Sequence, residues 1–252
     1  MSDKRPFFVG YLPTPRELRL LLISVAVAAI TAFVVAAWAV GTTQDNPGDG
    51  RLRFDLGRQT IVGVLETSPY PMVHVTHGTD VIATGETLML AGAGKFGVEP
   101  HASRVDSPVV EVTGVLLNRG DIRMLQVPNP RRNLKAIDGE GPSVNSKNLG
   151  RWRLAGEICD GKCLAGAMRP GRGIAHKACA ELCIEGGVPP VFVTTQPVAD
   201  HEFMLIANGD GEPLNSELLE KVGVYISLEG ELIQRGSLAV FLANHESIEV
   251  LP

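Results

Sequence analysis

Four cysteines fall at 159, 163, 179 and 183, in the pattern C-x3-C-x15-C-x3-C, with His176 inside the long interval. Thiolates and imidazoles ligate metals, paired thiols oxidise to disulfides, and a low-pKa thiolate does redox chemistry. The second pair lies in AHKACAELCIEGG, whose Ala, Lys, Glu and Leu predict a helix over Ala175–Glu185 with Gly186 as its stop. Spacings of three and four then put His176, Cys179 and Cys183 on one face. The glycine- and proline-rich run Met168–Gly173 lets Cys163 approach that face from the other side. Three readings follow from the same residues. One is a set of disulfides among Cys159, Cys163, Cys179 and Cys183. An i,i+4 bridge within a helix is awkward, so Cys163 is expected to pair with Cys179 or Cys183. The second is a metal centre of three cysteines and one histidine, Cys163, His176, Cys179 and Cys183, suited to zinc before iron–sulfur or copper. The third is a redox-active thiol pair. Glu157 and Asp160 beside the first cysteines are expected to raise a thiol pKa.

The elements that must position this cluster begin with an anchor. Leu20–Val40 reads LLLISVAVAAITAFVVAAWAV, without a charge, and as a helix it covers about 31 Å, enough to cross a bilayer core. Lys4, Arg5, Arg16 and Arg19 precede it, and no basic residue follows until Arg51. The positive-inside rule places residues 1–19 in the cytoplasm and the chain from Gly41 outside the cell membrane, as a single-pass protein with a periplasmic domain. A cleaved signal peptide competes, with Ala37-Trp38-Ala39 as its site, but the apolar run is longer than a signal core.

Beyond the anchor, residues 41–50 read as a linker, 51–128 as a first β unit, 129–150 as a second linker, and 151–252 as a second β unit carrying the Cys/His cluster. The units look like repeats. VTGVLLNRG (Val112–Gly120) matches LEGELIQRG (Leu228–Gly236) at an offset of 116, with Gly114/Gly230, Arg119/Arg235 and Gly120/Gly236 identical. IVGVLE (Ile61–Glu66) matches LAGEIC (Leu154–Cys159) as the first strand of each. Short Val-, Ile- and Leu-rich stretches bounded by turns predict a mainly β fold: two tandem small OB-like barrels, the second with an inserted Cys/His helix, or alternatively a β-sandwich. Ala175–Glu185 and Leu214–Val222 are the helical stretches expected in this part.

Gly156–Pro190 (GEICDGKCLAGAMRPGRGIAHKACAELCIEGGVPP) resembles an uncharacterised family of bacterial single-pass membrane proteins. The shared pattern is G-E-I-x-D-x-K-C, G-x-M-x-P-G-x-G, H-x-x-C-A-x-x-C-I and G-G-x-P-P, with GAGKFG (Gly92–Gly97) matching an earlier G-x-G-K-x-G element. The resemblance implies an anchor followed by two related β units, and carries no activity. An apolar residue usually stands in that pattern where this chain has Cys159. It therefore implies a basic set of Cys163, His176, Cys179 and Cys183.

The net charge of −5 and the 5% aromatic content argue against nucleic acid. GAGKFG lacks the length and the Lys-Ser/Thr ending of a phosphate loop and reads as a glycine-rich turn, standing in the first unit where the Cys loop stands in the second. His74 and His77 are expected at a hairpin end or surface, and His201 and His245 in solvated loops. No G-x-S-x-G, H-E-x-x-H or paired-carboxylate constellation occurs, so no catalytic residues are assigned and an enzyme of familiar mechanism is not expected. The expected role is an accessory or interaction protein of a membrane-associated complex. Its partners would be the bilayer, through Leu20–Val40, and a membrane or periplasmic protein, with a metal-binding or redox role as the alternative.

Overall fold

The computed structural model describes residues 15–43 and 48–252. Lys4 and Arg5, on which the expected orientation partly rests, lie outside the described residues. The chain divides into a unit of residues 1–46 and a compact unit of residues 47–252.

Helix α1 (Arg16–Thr43) dominates the first unit and spans about 42 Å at 1.5 Å per residue. It is long and apolar enough to cross a membrane, and an export signal would share those properties. Two of its hydroxyls bond within the helix, Ser24 Oγ donating to the Leu20 carbonyl (2.7 Å) and Thr42 Oγ1 to that of Trp38 (3.0 Å).

The second unit is mainly β. Its first half holds β1 (Arg51–Leu52), β2 (Arg58–Glu66), β3 (Met72–His77), β4 (Thr87–Ala91), β5 (Val109–Arg119), β6 (Ile122–Gln126) and β7 (Leu134–Ala136). The antiparallel ladders are β1–β5, β2–β3, β3–β4, β2–β5, β5–β6 and β5–β7, and β4 pairs β6 in parallel. Its second half holds β8 (Ser146–Asp160), β9 (Pro190–Val198), β10 (His201–Asn208), β11 (Tyr225–Arg235) and β12 (Leu238–Val250). These five close into a barrel in the order β10-β12-β11-β8-β9. Counted from β2 and from β8, the parallel ladder joins the third and fifth strands in both halves, β4–β6 and β10–β12. Short helices α2 (Glu99–Ala102), α3 (Pro130–Asn133) and α5 (Ser216–Leu219) sit in connections, and the longer α4 (Lys177–Glu185) lies between β8 and β9.

Local rules account for the hairpins. β5–β6 turns over Gly120-Asp121 and β11–β12 over Gly236-Ser237, with both glycines at positive φ (51° and 60°). Close strand approach accounts for another glycine pair. A Cβ at Gly114 would meet the Gln126 carbonyl, and one at Gly230 the Leu242 carbonyl, the same contact 116 residues on.

Three apolar clusters form. One fills the first sheet (Ile61, Val73, Leu88, Leu90, Val110, Val112, Leu125) and one the barrel (Leu154, Ile158, Phe192, Met204, Ile206, Phe241). The third lies between them: Met72, Met89, Leu117 and Met124 meet Val191, Phe203, Leu205 and Val240. β4 and β10 therefore bury both faces, Leu88 and Leu90 inward and Met89 toward the other sheet, Met204 and Ile206 inward and Leu205 outward. The turn of each hairpin reaches across to the first residue of the other half's third strand. Asp121 Oδ2 accepts from His201 (3.0 Å), while the Ser237 N–H donates to Thr87 Oγ1 (3.1 Å). Arg119 lies 5.7 Å over the Phe203 ring, and Arg235 pairs with Glu66.

Several expectations differ from what is seen. The stretch 129–150 is not all linker: it forms α3, β7 returns to pair with β5, and β8 begins at Ser146. Leu214–Val222 is helical only over α5, with Asn215 capping it by accepting from the Leu218 N–H (3.1 Å). The residue with left-handed backbone after α4 is Gly187 (φ 90°) rather than Gly186, where a Cβ would instead strike the Lys95 carbonyl. His74 is buried, its ring between Thr87 Oγ1 (2.9 Å) and Glu66 Oε2 (2.8 Å), because β3 runs beneath the second half.

Candidate metal centre

β8 ends at Asp160, the pivot of the site. This carboxylate is fully buried. Its Oδ1 accepts the Cys163 N–H at 2.7 Å, and its Oδ2 accepts from His176 Nε2 at 2.9 Å. The first bond holds the wide helical turn Cys163–Ala167 against the strand end; the second fixes the imidazole of His176, which ends the 3-10 turn Ile174–His176 and precedes α4. From α4, Cys179 and Cys183 come down one turn apart beside Cys163. The three sulfurs all lie within 4.8 Å of one another.

They line a cavity of about 290 Å³ together with Lys95, Lys162, Gln126 and Met168. Lys95 Nζ donates to Cys179 Sγ at 2.8 Å and lies 3.9 Å from Cys183 Sγ. Lys162 is buried, its ammonium held by the carbonyls of Gly92 (2.6 Å) and Gly94 (2.8 Å). The Gly92–Gly97 turn thus forms one wall of the sulfur cavity and is tied to α4 by the Gly97 N–H on the Gly186 carbonyl (2.7 Å). It does not occupy the place of the Cys loop. The turn follows β4, whereas the Cys segment follows β8, whose pairing partners correspond to those of β2.

Electrostatics differentiates the thiols. Cys183 is drawn down to about 7 by the hydrogen bond from Cys163, helped by the charge of Lys95 and opposed by burial. Cys163 moves the other way, pushed up by the same hydrogen bond to Cys183, by burial and by Asp160. Cys159 is pushed up by burial first, then by Glu157 and Asp160, as its flanking carboxylates suggest. Burial lowers Lys162, while the bond to Cys179 raises Lys95.

Two expected features resolve differently. All four cysteines are free thiols, so the expected disulfides, Cys163 with Cys179 or Cys183 among them, are not formed. Three sulfurs gathered at one cavity offer no unique pair, and Cys159 stands outside the group. The expected set of three cysteines and His176 does not converge as a unit. His176 shares a group with Cys163 and Asp160, while Cys163, Cys179 and Cys183 form their own, because Asp160 binds His176 Nε2. Either group could hold a metal ion. An iron–sulfur cluster held by four thiolates would need one more cysteine, and Cys159 lies outside the three-sulfur group.

Lys95 and Met168 received no role from the sequence. Lys95 meets Cys179 across 84 residues, which no local pattern encodes. Met168 Sδ lies 3.8 Å from Cys179 Sγ in a loop without periodicity. Their signal was compositional: a lysine among glycines and a methionine beside the cysteine cluster. Comparison with known protein families, with curated proteins and with solved structures finds no match to this chain.

Proposed function

We propose that this chain is a membrane-anchored, extracytoplasmic metal-binding protein. Cys163, Cys179 and Cys183 hold a thiophilic ion at the junction of two OB-like β-barrels. The observation that carries the reading is the approach of three free sulfurs to within 4.8 Å of one another on the wall of an open cavity. Thiolates at that separation are costly to keep together unless a cation or an ammonium sits among them. Asp160 acts from outside, orienting the Cys163 turn, as outer partners of metal ligands do.

Support for two tandem barrels from an internal repeat comes from the shared strand pairing, from Gly114/Gly230 and from the reciprocal hairpin contacts. Support for a single-pass anchor comes from α1 and from the absence of basic residues between its end and Arg51. A protein partner would dock over exposed apolar side chains: Met168 on the cavity wall, and Phe96 and Leu182, each next in sequence to a wall residue.

The test uses the full chain in detergent under reductant. Elemental analysis is combined with thiol alkylation before and after metal removal. The reading expects one equivalent of metal and protection of three thiols, reversed by chelation. Alkylation of the same thiols at the same rate with and without added zinc or copper would overturn it.

A further inference from the structure

We propose that the three-sulfur cavity selects monovalent copper, with the Met168 thioether as its fourth donor. The inference rests on the metal-binding reading above and adds the identity of the ion. Three features carry it. The first is the donor set. Besides Cys163, Cys179 and Cys183, the only other sulfur among the described residues of the lining is Met168, 3.8 Å from Cys179 Sγ. No carboxylate or imidazole is among the described lining residues; Asp160 and His176 come within 4.8 Å of Cys163 but bond to each other. Thiolate with thioether is a soft set and matches Cu(I), whereas borderline dications gain from imidazole or carboxylate.

The second feature is charge. Lys95 and Lys162 already bring two ammoniums into the lining, one of them in contact with Cys179. Three thiolates, two ammoniums and a monovalent ion sum to neutrality. A divalent ion leaves a net positive charge in a site walled by buried groups. The third is access. Met168 is about half exposed, so the thioether is positioned to receive an ion from solvent or from a docked protein and pass it to the buried thiolates.

Binding of Cu(I) is measured on the full chain in detergent, by competition with bathocuproine disulfonate under reductant. Zinc binding is measured in parallel against a chromophoric chelator. Met168→Leu is expected to weaken Cu(I) binding by about tenfold or more, the scale of lost partners around a metal, and to leave zinc unchanged. Lys95→Gln removes one positive charge and is expected to narrow the preference for Cu(I) over zinc. If Met168→Leu binds Cu(I) like the wild type, or zinc binds as tightly as Cu(I), the copper assignment fails and the three-sulfur site stands. If neither ion binds, or binding survives replacement of all three cysteines, both readings fail.

Discussion

The two halves of residues 47–252 pair their strands in the same order and direction, with the parallel ladder in the same place. They also meet by exchanging like contacts: hairpin residues Arg119 and Asp121 reach Phe203 and His201, while Arg235 and Ser237 reach Glu66 and Thr87. The halves part company at one connection. Between β2 and β3 the first half spends residues 67–71; between β8 and β9 the second inserts 161–189, with every sulfur of the site and α4. A strand order common to both halves, with β4 and β10 each buried on both faces, leaves the long connection after β8 to carry the cysteine cluster. The first half then serves the site from across the interface, through the Gly92–Gly97 turn and Lys95.

Substitutions at six positions would break or sharpen this comparison. The largest effect is expected at Asp160, in whose place the first half carries Thr67 by the match of Ile61–Glu66 to Leu154–Cys159. Asp160→Ala strands the Cys163 N–H and the His176 ring in the core. It should cost about 3–5 kcal/mol in chemical denaturation, and Asp160→Asn much less. A small loss with Ala would mean that the pivot is not needed. Next come Leu205→Ala between the halves and Leu88→Ala within the first, both fully buried, each expected to cost about 2–5 kcal/mol. Because the middle cluster joins the halves, calorimetry should show one transition moving in both variants; two transitions, one of them unmoved, would mean that the halves fold apart. Gly114→Ala and Gly230→Ala press a methyl on equivalent carbonyls and should each cost about 1–3 kcal/mol. Unequal costs by more than the error would break the equivalence of the two hairpins.

The smallest effect concerns Glu66, which joins His74 and Arg235 beneath the interface. Burial alone would raise its carboxyl, but the His74 hydrogen bond and the Arg235 charge together hold it below 4.5. Its stabilisation is therefore present above that value and is lost as pH falls through the lower folded value. Glu66→Gln should flatten stability against acid in that window by no more than about 1 kcal/mol, given its partial exposure. An unchanged acid profile would remove Glu66 from the interface account.

What was readable in the chain was local. Arg119-Gly120 and Arg235-Gly236 announce hairpins because a two-residue turn needs its glycine whatever surrounds it. Cys179 and Cys183 share a helix face because the spacing alone decides it. The site's completion was not local. By spacing His176 is available to the cysteines, yet Asp160, sixteen residues earlier, holds its ring. Lys95 enters only because the two halves pack face to face. A signal for that packing was present in TLMLA (Thr87–Ala91) and FMLIA (Phe203–Ala207), whose unbroken apolar runs suit strands buried on both sides.

The most direct measurement replaces each cysteine by serine in the full chain and determines bound metal by elemental analysis. Cys163→Ser, Cys179→Ser and Cys183→Ser should each lose the ion, while Cys159→Ser, outside the three-sulfur group, should keep it. Metal retained in all four variants, or lost only with Cys159, would contradict the account.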